Sequence, residues 1–130
     1  MKTNKRRLGD IGEFLASKFL IKNGFNILEK NFLRYCGEID IIASLKDIVY
    51  FVEVKTVTRK TNYLYNSEWG KHTAEENIGR LKIKRLRKVV ASYLRENNVL
   101  NEWKFMVISI ELEKKSNKIL ARYNVLYDVL

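Results

Sequence analysis

Asp40, Glu53 and Lys55 lie in two short apolar motifs and bring together two carboxylates and an amine, the groups that metal binding and proton transfer use. Asp40 sits in Gly37-Glu38-Ile39-Asp40-Ile41-Ile42-Ala43, and the other two in Phe51-Val52-Glu53-Val54-Lys55-Thr56. Glu53 and Lys55 are spaced to share one face of a strand. Closing the segment between the two motifs as a hairpin about Lys46 and Asp47 puts Asp40 across from Glu53 and Glu38 across from Lys55. Directly opposed residues have Cβ atoms about 4.5 to 5.5 Å apart. Two bare carboxylates at roughly 4 Å repel by about 4 kcal/mol at an effective dielectric near 20. Lys55 can offset one charge, whereas a divalent cation with oxygen ligands stabilises both. Glu13 supplies a third acid from further upstream. Paired carboxylates holding Mg²⁺ or Mn²⁺, with a lysine beside the metal-bound water, are the minimum apparatus for phosphodiester hydrolysis. The bland alternative is a solvated polar face of an antiparallel pair. Against it, Ile39, Ile41, Ile42, Phe51, Val52 and Val54 are apolar on both faces, which suits strands central to a sheet.

The elements that would position these residues follow from periodicity. Ile11, Phe14, Leu15 and Phe19 recur at helical spacing between Asp10 and Asn23, with Gly24 as the stop. Phe25 to Phe32 reads as a strand weakened by Asn26 and Asn31, while Glu38 to Ala43 and Ile48 to Lys55 form the hairpin. Thr56 to about Thr73 has no period, so it is expected to be a long loop with scope for movement. Ile78, Leu81, Leu86, Val89, Val90, Tyr93 and Leu94 predict an amphipathic helix from Ala74 to Asn97. Trp103 to Leu112 and Ile119 to Tyr127 alternate as two further strands around a polar turn at Lys114 to Lys118. The order αβββαββ predicts an α/β fold: a mixed sheet with helices packed on it.

Composition narrows the class of partner. A chain of 130 residues is expected to form a single domain, with residues 1–7 as a basic N-terminal tail. The absence of any long apolar run argues against a membrane span. Gly9, Asp10, Gly12 and Glu13 stand where a signal peptide would need its apolar stretch. With a single cysteine, Cys36, there is no internal disulfide and no thiolate zinc cluster, and a cytoplasmic location is expected. The formal charge of +10 attracts polyanions, so nucleic acid is the first partner to consider and a membrane is not.

Gly12-Glu13 on the N-terminal helix, Gly-Glu-Ile-Asp-Ile-Ile-Ala at 37–43 and Phe-Val-Glu-Val-Lys-Thr at 51–56 resemble the signature of the YraN-like family. That family is assigned to the restriction-endonuclease-like, or PD-(D/E)XK, superfamily and is similar to archaeal Holliday junction resolvases. The resemblance runs from about Arg7 to Ile110 and includes Lys82, Arg85, Leu86, Ala91, Tyr93 and Leu94 of the long helix. It implies a restriction-endonuclease-like central sheet, with Asp40, Glu53 and the backbone carbonyl of Val54 as metal ligands. It further implies that Glu13 completes the site and that Lys55 orients or deprotonates the attacking water. Ile39 stands where the superfamily's name has proline, and Val57 interrupts the family's threonine-arginine, displacing Arg59.

Contacts to nucleic acid are expected from two basic stretches. Arg59 and Lys60 open a segment that also holds Tyr63, Tyr65, Trp69, Lys71 and His72, a mix of cations and aromatics suited to phosphates and unpaired bases. The alternative is a surface loop whose aromatics cover the sheet. On the long helix, Lys82, Lys84, Arg85, Arg87 and Lys88 point mostly away from the apolar stripe, and Lys82 and Arg85 are the phosphate-contact candidates. Two functions of different class follow: a Mg²⁺-dependent DNA endonuclease acting on branched or irregular structures, and a non-catalytic nucleic-acid-binding module with an endonuclease-like fold. A hydrolase of another phosphate ester is a third, and a second copy of the chain is a candidate partner.

Overall fold

The computed structural model describes residues 4–59 and 80–127. Seven elements follow one another: α1 (Asn4–Lys22), β1 (Asn26–Arg34), β2 (Gly37–Leu45), β3 (Ile48–Arg59), α2 (Arg80–Glu96), β4 (Trp103–Lys115) and β5 (Lys118–Tyr127). This is the expected αβββαββ order. The strands form one sheet in the order β1-β2-β3-β4-β5, antiparallel except for the parallel pair β3 and β4.

Local chemistry accounts for the boundaries. Gly24, at φ 89°, ends α1; its N–H donates to the Ile21 carbonyl and the Phe25 N–H to the Leu20 carbonyl, the paired bonds of a Schellman cap. Asn98, at φ 50°, ends α2 in the same way, with the Val99 N–H donating to the Leu94 carbonyl. Lys46 and Asp47 both have positive φ, 48° and 65°, as a two-residue type I′ hairpin turn requires. The turn fixes the register, and Leu45 pairs with Ile48 and Ile41 with Val52.

The two sheet faces have separate cores. Val49, Phe51, Phe105 and Val107 pack under Leu86, Val89, Val90 and Tyr93 of α2. Tyr50, Val52, Met106 and Ile108 pack under Ala16 and Leu20 of α1. Both faces of β3 and β4 are therefore covered, and this explains their continuous apolar runs.

Several boundaries differ from those expected. Residues 4–7 are the opening turns of α1, not part of a tail: Lys5, Arg6 and Arg7 lie within the helix. Thr56 to Arg59 continue β3, because the parallel partner β4 pairs with it as far as Arg59 with Glu113. A strand whose partner lies more than forty residues away carries no local period to betray it. The rest of the expected loop, with Lys60, Tyr63, Tyr65, Trp69, Lys71 and His72, and the expected first turns of the helix at 74–79 lie outside the described residues. Among the described residues no helix is long and apolar enough to cross a membrane.

Candidate active site

The site forms where the sheet's ladders open. Between β1 and β2 the paired positions step from Lys30 with Ile41 to Phe32 with Ile39, passing over Asn31 and Asp40. Asn31 has φ 52°, a left-handed conformation that asparagine tolerates better than most residues. Between β2 and β3 the pairing ends at Ile41 with Val52. The expected opposition of Asp40 and Glu53 is thus not a continued ladder pair. Instead the Val54 N–H donates to Asp40 Oδ2 at 2.7 Å. The backbone donor that a regular sheet would spend on another strand holds the Asp40 carboxyl in place.

Glu53 lies beside it, 8% exposed, on the α2 face of β3. Burial and the neighbouring Glu53 push the Asp40 carboxyl up to about 8, with Glu13 and Glu38 adding repulsion and the Val54 N–H opposing it. Burial also raises Glu53, against the hydrogen bond and charge of Lys82. The two carboxyl groups stand close enough that each perturbs the other. Lys55, two residues along the same face, is lowered first by desolvation and then by Lys82, while Glu53 pulls the other way. Its neutral form, able to accept a proton, is correspondingly closer to reach.

Glu13 arrives from α1 because Gly12 has no side chain. A Cβ at Gly12 would stand 1.7 Å from Thr56 Oγ1 and 2.9 Å from Thr56 Cβ, so only glycine lets the helix lie directly on β3 at this level. Asn31 then ties the acids together, its Nδ2 donating to Glu13 Oε1 at 2.9 Å and to Glu38 Oε1 at 3.5 Å.

Four predicted site residues, Glu13, Asp40, Glu53 and Lys55, are therefore gathered at one end of the β2–β3 hairpin. Lys82 joins them, in a place different from the one expected. Its Nζ lies 2.7 Å from Glu53 Oε1, because Lys82 stands one turn before the buried Leu86 on the side of α2 that faces the sheet. The spacing of four to Leu86 was the signal in the sequence. Glu38 and Asn31 are further members, and an asparagine interrupting a strand was the only hint of the second. Arg59 turns to Glu111, Nη1 to Oε1 at 3.3 Å, where its side chain is 19% exposed and that of Glu111 is 2% exposed. Arg85 lies exposed on α2, and Lys60 is outside the described residues.

Two carboxyl groups of raised proton affinity, with Glu13 and Glu38 adding repulsion, are oxygen donors of the kind a hard divalent cation takes. The cage is not closed, since among the described residues no three His, Cys, Asp or Glu side chains are placed together to hold an ion.

Residues 12–110 match the profile of the family described as "Uncharacterised protein family UPF0102". A UPF0102 protein of Acetivibrio thermocellus is 41% identical over 121 residues, covering 91% of this chain and 85% of that protein. One of Clostridioides difficile is 37% identical over 122 residues, covering 92% of this chain and 99% of its own length. The matched span begins at Gly12, the residue that seats Glu13, and contains every acid and lysine of the site, and the chain belongs to the UPF0102 family.

Proposed function

We propose that this chain is a Mg²⁺- or Mn²⁺-dependent endonuclease of the restriction-endonuclease-like, PD-(D/E)XK superfamily, hydrolysing phosphodiester bonds of branched or irregular DNA. The observation that carries the reading is a local excess of acid in a basic protein. Glu13, Glu38, Asp40 and Glu53 interact at one hairpin end, while the chain as a whole carries +10. Such a surplus of carboxylates is stabilised by a divalent cation, and the basic remainder of the surface favours a polyanionic substrate.

Asp40 and Glu53, with the Val54 carbonyl, would hold the ion, and Glu13 would complete the set from α1. When bound, the cation supplies an activated water and neutralises charge developing on the phosphoryl group. The Val54 N–H and Asn31 keep the carboxyl groups oriented. Lys55 positions the attacking water and takes up its proton, a role its lowered proton affinity suits. Arg85 meets flanking phosphates.

The test is incubation of the purified protein with linear, single-stranded, flapped and four-way DNA in Mg²⁺ or Mn²⁺. Cleavage of at least one of these, abolished by chelation, is expected. The second reading, a non-catalytic nucleic-acid-binding module, is favoured by the open cage and by the lysine seated on Glu53. Binding without cleavage under every divalent ion would establish it instead.

A further inference from the structure

Two lysines converge on one buried carboxylate, and they are mounted differently. Lys55 is rooted in β3, two residues from Glu53 on the same strand face, and its amine is partly desolvated. Lys82 comes from the opening turn of α2, with its side chain 53% exposed while that of Glu53 is 11% exposed. A four-carbon stem with that freedom can swing outward while Ile83 and Leu86 keep the helix packed on the core. At 2.7 Å from Glu53 Oε1, its ammonium occupies one of the oxygen sites that a cation ligated by Glu53 would take. An ammonium and a divalent ion cannot share that position, since both are cations and both need the same lone pairs.

We propose that Lys82 is a displaceable counter-ion: it occupies the cation's place on Glu53 in the metal-free protein and yields that place when a divalent ion binds, passing to the phosphate of the nucleic-acid substrate. This rests on the metal reading of Asp40 and Glu53. Displacement is an exchange of one ion pair for another, and no proton or bond changes hands. Without metal, Lys82 relieves the repulsion within the acid cluster. With metal, the same charge sits at the solvent side of the site, above the carboxylates, where a phosphoryl oxygen of the substrate would face the ion. The device makes metal binding and substrate binding cooperative, because the ammonium released from Glu53 becomes available to a substrate phosphate.

Calorimetric titration of Mn²⁺ into the DNA-free parent, Lys82→Met and Lys82→Arg tests this without reference to cleavage. Lys82→Met should bind Mn²⁺ at least tenfold more tightly than the parent, a difference of about 1.4 kcal/mol, while Lys82→Arg, which retains the charge, stays near the parent. Adding uncleaved DNA should raise Mn²⁺ affinity in the parent and not in Lys82→Met. Lys82→Gln serves in place of Lys82→Met if that variant fails to give a cooperative melt. Equal affinity in parent and Lys82→Met overturns the displacement and leaves the metal site standing. Absence of Mn²⁺ binding in all variants overturns the metal reading and the displacement together.

Discussion

Toward its turn, the β2–β3 hairpin is a regular ladder: Leu45 pairs with Ile48, each pair follows in step to Ile41 and Val52, and apart from Ser44 the side chains are apolar on both faces. Toward its open end the ladder stops. Asp40 accepts a hydrogen bond from the Val54 backbone, Glu53 pairs with a lysine from a helix, and Glu13 and Glu38 add their repulsion. The same two strands supply both ends. One end is held by burial, worth about 25 cal/mol per Å² of apolar surface. At the other end, buried carboxyl groups oppose folding until a partner offsets them. Stability and reactivity are thus separated along one hairpin, and the first half fixes where the second half's charges stand.

Removing an acid should produce the largest effect. Glu53→Ala is expected to abolish cleavage and, with it, the stabilisation that Mg²⁺ gives the parent, about 2.7 kcal/mol at a hundred times the dissociation constant. Thermal melts with and without Mg²⁺ read the second loss directly. Lys55→Ala tests the chemistry rather than the charge. It should retain metal-induced stabilisation and DNA binding and cleave at least about a hundredfold more slowly, the scale of a lost acid-base group. Single-turnover assays at saturating metal separate the two variants.

Gly12→Ala probes whether the far helix is part of the open end. A methyl group aimed at Thr56 must push α1 from β3 or rotate the threonine, at roughly 1–3 kcal/mol for an overpacked contact. It should also slow cleavage by withdrawing Glu13. Adding Thr56→Ala should recover part of the melting temperature, and no recovery would separate the glycine's role from that contact.

A pH series gives the most specific effect. Asp40 has its folded affinity raised from 3.8 to about 8, so the folded state keeps a proton that the unfolded chain gives up. That contribution is fully present below about pH 4 and is lost as pH rises through about 8. In chelator, the melting temperature of Asp40→Asn relative to the parent should therefore climb across that window. A flat difference would show that Asp40 is an ordinary solvated carboxylate. Excess Mg²⁺ should remove the climb, since the ion favours the ionised carboxyl group.

Much of the hairpin was legible in the residues because its register depends only on a symmetric two-residue turn and a period of two. That arithmetic brought Asp40, Glu53 and Lys55 to one end of the hairpin, but the ladder stops at Ile41 and Val52 before it pairs Asp40 with Glu53. Lys82 was not legible, because a lysine on an amphipathic helix is ordinarily solvated, and its spacing to Leu86 gains meaning only once Glu53 is known to lie beneath. Asn31 was hidden for a related reason: its meeting with Glu13 and Glu38 depends on a left-handed residue and an interrupted ladder, which no periodicity encodes. The continuation of β3 to Arg59 depends on β4, a partner that arrives only after α2.

The most direct test of the open end as a cation site is anomalous diffraction from crystals grown with Mn²⁺. A peak ligated by the Asp40 and Glu53 carboxylates and the Val54 carbonyl is expected, with Lys82 turned away from Glu53. A fully occupied Mn²⁺ peak elsewhere, or none with Lys82 still on Glu53, would contradict it.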